Sequence, residues 1–292
     1  MTLFCKAIKE TVVVKPRILT YGEIIFDLVE GKPYLGGAPL NFAWFVNQLG
    51  GEATLISAVG NDVLGSKAVS IIENYGIDSH IHFSKESTGT AIVNSDGKFN
   101  ITYPAAWNHI EIPELEAGIY DLLYVGTLAQ TSSFNRGKLP ALLTSSNTRI
   151  FLDLNLRHPF YSKEIIFNSL QMADIVKVNL EEWQEIKSFI SMKDPFAFMN
   201  YFNLSHLAIT MGYEGARFFF DGQGFLYRPN KITEIDPTGA GDAFSAGFAM
   251  GILLGIPAMN VLKVGCQAGA AVAGHKGAHA DLPDFVRDQI FL

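Results

Sequence analysis

Short apolar runs recur along this chain, each stopped by a polar residue or glycine and each followed by a longer segment of helical character. Ile18-Leu19-Thr20-Tyr21, Ala53–Val59, Leu122–Val125, Arg149–Asp153, Ile175–Val178 and His206–Met211 have the length and branched-residue content of buried strands. Pro39–Leu49, Val63–Tyr75, Lys138–Thr144, Lys163–Met172 and Leu180–Ile190 read as the intervening helices, and 239–255 and 258–274 as two long helices rich in small residues. Strands that alternate with helices over this length must run parallel, because each helix carries the chain back to its starting edge. The expectation is an α/β fold, a mainly parallel central sheet with helices on both faces, as a single domain over 1–292. The first strand reads as continuous from Arg17 to Glu30. Two segments break the alternation. Thr88–Tyr103 reads as a hairpin turning at Ser95-Asp96-Gly97, and the segments near 28–36 and 88–104 suggest a small sheet outside the main layer. Arg217–Tyr227 is a second hairpin.

Of the 292 residues, 48% are hydrophobic and 17% charged, enough for a large core and too few charges for long disordered tails. The net charge of −7, with no basic run, argues against nucleic acid or an anionic membrane as partner. The longest charge-free stretch, Ala243–Leu262, is punctuated by Gly251, Gly255, Pro257 and Asn260, so two buried helices are expected rather than a membrane span. Cys5 and Cys266 form no pattern and read as reduced thiols. Lys6, Lys9, Glu10 and Lys15 interrupt the N-terminal segment, so no secretory leader is read there, and a cytoplasmic protein is expected. The histidines, including His80 and His82, show no metal spacing, and no Walker phosphate loop or Gly-x-Ser-x-Gly element occurs.

The chemistry concentrates in Asp236-Pro237-Thr238-Gly239-Ala240-Gly241-Asp242, a glycine-rich turn opening a helix. Unpaired N–H groups at a helix start attract an anion, and small residues let a phosphate approach the backbone. Asp242 then stands where a base would deprotonate an attacking hydroxyl. Taken alone, the same residues make an ordinary N-cap.

A second element, Leu35-Gly36-Gly37-Ala38-Pro39-Leu40-Asn41-Phe42-Ala43 with Gly50 and Gly60 downstream, accompanies it. Together the two resemble the paired signatures of the ribokinase-like (PfkB-type) carbohydrate kinases, in the family's order and over nearly the whole chain. The resemblance implies a sugar kinase using ATP, Mg²⁺ and, in some relatives, K⁺, with a lid that covers the sugar and through which relatives often form homodimers. It implies Asp242 as catalytic base, with the amides of Gly239, Ala240 and Gly241 holding the transferred charge. It implies Asp27, Gly36, Gly37 and Asn41 at the sugar. Read plainly, Asp27 terminates a strand and Asn41 is a surface helix residue.

Asp153-Leu154-Asn155-Leu156-Arg157 resembles the Asp-x-Asn-x-Arg stretch of fructokinases and ketodeoxygluconate kinases. Strand alternation would put Asp153, Asn155 and Arg157 on one face, with Arg157 facing a phosphate, a sugar carboxylate or a structural acid. Asn179 and Glu182 match the family's Asn-x-x-Glu, with Asn179 near the nucleotide and Glu182 acting on Mg²⁺ through water; the same pattern is a helix capping box. Thr210, Gly212 and Gly215 resemble the nucleotide loop, where a simple glycine turn is the alternative, and Lys276-Gly277 resembles the adenine turn. The carbonyls of Asp236 and Thr238 correspond to a monovalent-cation site. Trp107 reads either as a sugar-stacking face or as a core anchor. No lid arginine for a phosphorylated acceptor can be matched. Gly-Glu-Ile-Ile-Phe-Asp, Gly-Gly-Ala-Pro-x-Asn and Ala-Ala-Trp-Asn look most like bacterial fructokinases. A ketodeoxygluconate kinase, a nucleoside kinase and a non-catalytic sugar-binding protein on the same fold remain as alternatives.

Overall fold

A computed structural model describes residues 15–93, 99–143 and 145–291; the expected hairpin turn at 95–97 and Cys5 lie outside them. In chain order the elements are β1 (Arg17–Tyr21), β2 (Ile25–Val29), β3 (Lys32–Gly36), α1 (Ala38–Gln48), β4 (Glu52–Gly60), α2 (Val63–Asn74), β5 (Asp78–Ser84), β6 (Gly89–Val93), β7 (Phe99–Ile101), β8 (Leu122–Gly126), α3 (Ser133–Lys138), β9 (Arg149–Asp153) and α4 (Lys163–Met172). The second half continues with β10 (Ile175–Asn179), α5 (Leu180–Ile190), α6 (Pro195–Phe202), β11 (His206–Thr210), β12 (Ala216–Phe220), β13 (Gln223–Tyr227), α7 (Ala240–Leu253), α8 (Ala258–Ala273) and α9 (Asp284–Phe291).

Nine strands form the main sheet in the order β13-β12-β11-β10-β9-β8-β1-β4-β5, parallel except for the terminal β12–β13 hairpin. Along β1, Ile18 enters the core on one face of the sheet, while Leu19 and Tyr21 enter the core on the other. This period-two split is what a strand covered on both sides requires. From β1 the chain builds outward first through β4 and β5, then in the other direction through β8 to β13. The order therefore reverses at β1, and the crevice beyond the carboxyl ends there is where sheets of this kind bind ligands.

The second sheet, β3-β2-β6-β7, is the expected lid. It corrects the reading of a single strand from Arg17 to Glu30. The backbone leaves the main sheet at Gly22, where φ is +151°, and β2 joins the lid, so Asp27 belongs to the lid and not to the end of β1. The helix expected at 138–144 is met in part: an α-helix capped by Ser132 ends at Lys138, and Leu139–Leu142 continues as a 3₁₀ helix with Pro140 in its first turn. β5, α6 and α9 had no sequence expectation; β5 is a largely polar strand at the sheet edge, with His80 and His82 on it. The charge-free stretch resolves into α7 and α8, which pack closely where Gly247 meets Gly265, and no helix among the described residues is long and apolar enough to cross a membrane. Cys266 is a buried free thiol.

Candidate active site

The carboxyl ends of β1, β9, β10 and β11 lie on one side of the main sheet, and α7 begins above them. Gly239 is the residue before α7, at φ +81°, and a Cβ there would stand 2.7 Å from the Ala278 carbonyl, so glycine fits and a side chain does not. The turn is tied from both sides. Asp236 Oδ1 accepts the Thr238 N–H at 3.0 Å, and Oδ2 accepts the Gly277 N–H at 2.9 Å. These bonds hold the Asp236 carboxyl below its usual range despite the opposing effect of burial. The Ala240 N–H donates to Pro237 O at 3.1 Å, which takes it out of the anion-holding set and leaves the amides of Gly239, Gly241 and Asp242.

Asp242 stands in the first turn of α7, and Asn41 Nδ2 donates to its Oδ2 at 2.7 Å across 201 residues of sequence. The two glycine-rich elements thus meet through one hydrogen bond. Burial, then the negative Asp153, push the Asp242 carboxyl up to about 7, against the opposing pull of Asn41, Lys177 and Arg157. A carboxyl at that value can take a proton near neutrality.

Below the turn lies a buried polar network. Asp153 is fully buried. Its Oδ1 pairs with Lys177 Nζ at 3.0 Å, and its Oδ2 accepts Ser245 Oγ at 2.7 Å and Tyr124 OH at 3.4 Å. This corrects the expectation that Asp153 faces the sugar. β9 ends at Asp153 and Asn155 sits at φ +41°, so the strand alternation does not carry on to Arg157. Burial alone would lower the Lys177 ammonium, but Asp153, Glu182 and Asp242 hold it above its usual value. Its Nζ is 3.4 Å from where a Gly241 Cβ would be, directly under the turn.

Asn179 and Glu182 form the capping box of α5. Glu182 Oε2 accepts the Asn179 N–H and Oε1 the Leu156 N–H, both at 2.8 Å, and burial raises the carboxyl. Any approach to a hydrated ion is left to the remaining lone pairs of those two oxygens. No group of three His, Cys, Asp or Glu among the described residues is placed to hold a metal alone.

A cleft of about 510 Å³ opens beside the turn. Thr210, Gly212 and Gly215 line it with Ala240 and Gly241, and Phe244, Ala270 and Ala273 make its far end apolar. Asn179 and Gly277 are not on its walls. The lid connects to Asp242 through α1, which follows β3 and carries Asn41. Asp27 Oδ2 is 3.3 Å from the position a Gly36 Cβ would take, and burial raises its carboxyl to about 6, with Arg157 opposing. Trp107 is a packing anchor and not a stacking face: it is fully buried, with Tyr103 and Phe160 rings against it.

Sequence reasoning missed Lys177, Tyr124, Ser245 and Glu23. Two of them left a signal. A lysine inside the strand Ile-Val-Lys-Val, and a glutamate inside Tyr-Gly-Glu-Ile-Ile, are charges where an apolar side chain belongs.

The model of the pfkB family of carbohydrate kinases matches residues 9–284. Fructokinases of Escherichia coli and Salmonella typhimurium are 26% and 27% identical, the alignments covering 91% of this chain and 96% of each relative. Among solved structures, the fructokinase of Vibrio cholerae bound to fructose, ADP and calcium superposes with a TM-score of 0.82 at 23% identity, over 94% of this chain and 99% of that one. Aminoimidazole riboside kinase from Salmonella enterica, complexed with aminoimidazole riboside and an ATP analogue, superposes with a TM-score of 0.79 at 22% identity, over 94% and 99%. At these identities the superpositions establish the shared fold.

Proposed function

The chain belongs to the pfkB family of carbohydrate kinases, and from that premise we propose that it moves the γ-phosphate of ATP onto a free sugar hydroxyl, with fructose, giving fructose 6-phosphate, as first substrate. The observation that carries this reading is the Asn41–Asp242 hydrogen bond. It joins a half-buried carboxyl of raised pKa, in the first turn of α7, to the helix α1 that follows the lid strand β3.

In this reading the cleft beside Thr210 and Gly212 takes the nucleotide, and the phosphates point to the turn. Asp242 accepts the proton of the sugar hydroxyl. As that O–H bond breaks, the oxygen bonds to the γ-phosphorus, and the bond to the β-phosphate oxygen breaks with its electrons leaving on ADP. The amides of Gly239 and Gly241, the positive end of α7 and the Lys177 ammonium beneath them balance charge on the transferred group. Asp27, accepting two hydroxyl bonds, orients the sugar. Mg²⁺ would be carried largely by the nucleotide, Glu182 would hold its water shell, and the ion would neutralise phosphate charge. The Asp236 and Thr238 carbonyls are assigned to a monovalent cation, and the lid to a homodimer contact, as in the resembled relatives. The sugar is the open variable, since fructose and a riboside occupy neighbours of the same fold.

The test is ADP release from ATP and Mg²⁺ with fructose, ketodeoxygluconate, ribose, tagatose and adenosine, with and without K⁺. Turnover on fructose above all others supports the full reading. Turnover on another member keeps the phosphoryl transfer and replaces the sugar. No turnover with any acceptor, from folded protein that binds ATP, sinks the reading.

A further inference from the structure

Over β8 and β9, a second cavity of about 410 Å³ opens between α4 and the segment that runs from α3 into the 3₁₀ helix after it. It shares no lining residue with the cleft beside the α7 turn. Leu123 and Ile150, register partners on β8 and β9, form its floor, and Leu139 and Met172 stand at its sides. Two local features leave the space unfilled. The α-helix gives way to a 3₁₀ helix at Leu139, and Gly137 brings no side chain, since a Cβ there would meet nothing within 4 Å. The volume is that of a small-molecule site.

One part of the wall is polar and firmly held. Gln130 is 3% exposed; its Nε2 donates to Gly126 O at 2.8 Å, and its Oε1 accepts Ser169 Oγ from α4 at 2.9 Å. The backbone carbonyls of Gln130 and Thr131 both accept from Arg136 Nη1, the second at 3.0 Å. These two bonds use both hydrogens of Nη1 and fix the plane of the guanidinium. Its other three N–H groups, on Nε and Nη2, meet no acceptor among the described residues, and no carboxylate there pairs with Arg136. The Nε–Nη2 edge carries two parallel donors at the spacing of carboxylate oxygens.

The rest of the lining decides what such an edge can receive. Among the lining residues Arg136 alone is charged and none is acidic. A half-buried cation thus stands beside an apolar floor with no counter-charge on the walls. A neutral apolar molecule would leave the guanidinium edge without an acceptor, and an inorganic anion would leave Leu123 and Ile150 uncovered. An anionic head on a hydrocarbon body satisfies both.

We propose that this cavity is a second small-molecule site, which takes a carboxylate with a short hydrocarbon or aromatic body. The carboxylate lies on the Nε–Nη2 edge of Arg136 and the body over Leu123 and Ile150. The proposal does not depend on the kinase reading, and its test needs no turnover.

The experiment is titration calorimetry with hexanoate, 1-hexanol and hexylamine, with and without excess ATP, on the full chain, Arg136→Met and Arg136→Lys. The wild type binds hexanoate at millimolar concentration, about tenfold more tightly than 1-hexanol, and binds hexylamine least. ATP leaves the hexanoate affinity unchanged. Arg136→Met keeps an apolar stem, removes the donors and brings hexanoate down to the affinity of 1-hexanol, which itself does not change. Arg136→Lys keeps the charge without the paired edge and weakens hexanoate about threefold or more. Should the Met variant not fold, the Lys variant and the order of the three ligands on the wild type decide. A wild type that binds no hexanoate at millimolar concentration overturns the proposal. So does 1-hexanol bound as tightly as hexanoate, or a hexanoate affinity unchanged in a folded Arg136 variant. Hexanoate binding that ATP abolishes places the anion in the other cleft and overturns it as well.

Discussion

The two walls of the candidate site are built differently. On the transfer side, the α7 turn rests on the carboxyl ends of a nine-stranded sheet. Its polar groups interlock there: Asp153 with Lys177, Ser245 and Tyr124, and Ser245 again with the Gly241 carbonyl at 3.0 Å. On the acceptor side, a four-stranded sheet carries exposed Val29, Tyr34 and Ile92 and a small core around Trp107. In the proposed reading, the difference divides the labour. Charge on a transferring phosphoryl group is stabilised best by dipoles that need not move, which a buried network provides. A sheet with few buried contacts opens and closes at low cost, which suits a wall that must admit a sugar and then exclude water.

If the transfer wall is the preorganised one, its perturbations have the largest effects. Asp242→Asn removes the proton acceptor while keeping shape, and steady-state kinetics should show kcat lower by about 10²–10⁴-fold with the melting temperature retained. A near-wild-type kcat breaks the assignment of the base. Lys177→Met leaves Asp153 charged and buried, which costs on the order of 3–5 kcal/mol by denaturant titration. Adding Asp153→Leu should recover part of that loss, and a variant with no cost at all would mean that the network is not structural. On the lid, Asp27→Ala should raise the KM for sugar about 10–100-fold with a smaller change in kcat, one or two charge-assisted hydrogen bonds being lost. A kcat loss as large as that of Asp242→Asn would dissolve the contrast between the walls.

The smallest effect concerns pH. As the proposed base, Asp242 would work deprotonated, and its carboxyl is pushed up to about 7, so kcat/KM should fall below pH 7 and level off above it. Asn41 favours the charged form, so Asn41→Ala moves the inflection to higher pH by about one unit or less. An inflection that stays in place would show that this hydrogen bond does not tune the base.

Much of this arrangement is legible along the chain. The parallel sheet followed from apolar runs of strand length alternating with helices, and the lid from a hairpin that broke the alternation. The Asp236–Asp242 turn followed from glycines before a helix, and α4 and α5 matched their expected bounds residue for residue. Where the chain misled, the missing information was where a strand changes sheets. β1 and β2 form one apolar run in sequence, yet they lie in different layers, so Asp27 moved to the lid. The same gap explains Asp153, whose residue type suits a sugar ligand but whose carboxylate turns inward to Lys177.

What the sequence determined by itself was local: the periods of its elements, the turn that only glycine permits, and the residue types a phosphoryl transfer needs. Tertiary structure alone decided that Asp153 pairs with a buried lysine, that Asp27 lies in the lid sheet, that Trp107 is a packing anchor, and that Glu23 is buried with an unpartnered carboxylate oxygen. Those outcomes depend on contacts such as Asn41 to Asp242, separated by 201 residues, and on the burial that raises the Asp242 carboxyl toward neutrality. Desolvation and long-range hydrogen bonding arise only when distant segments pack, so no window of sequence contains them.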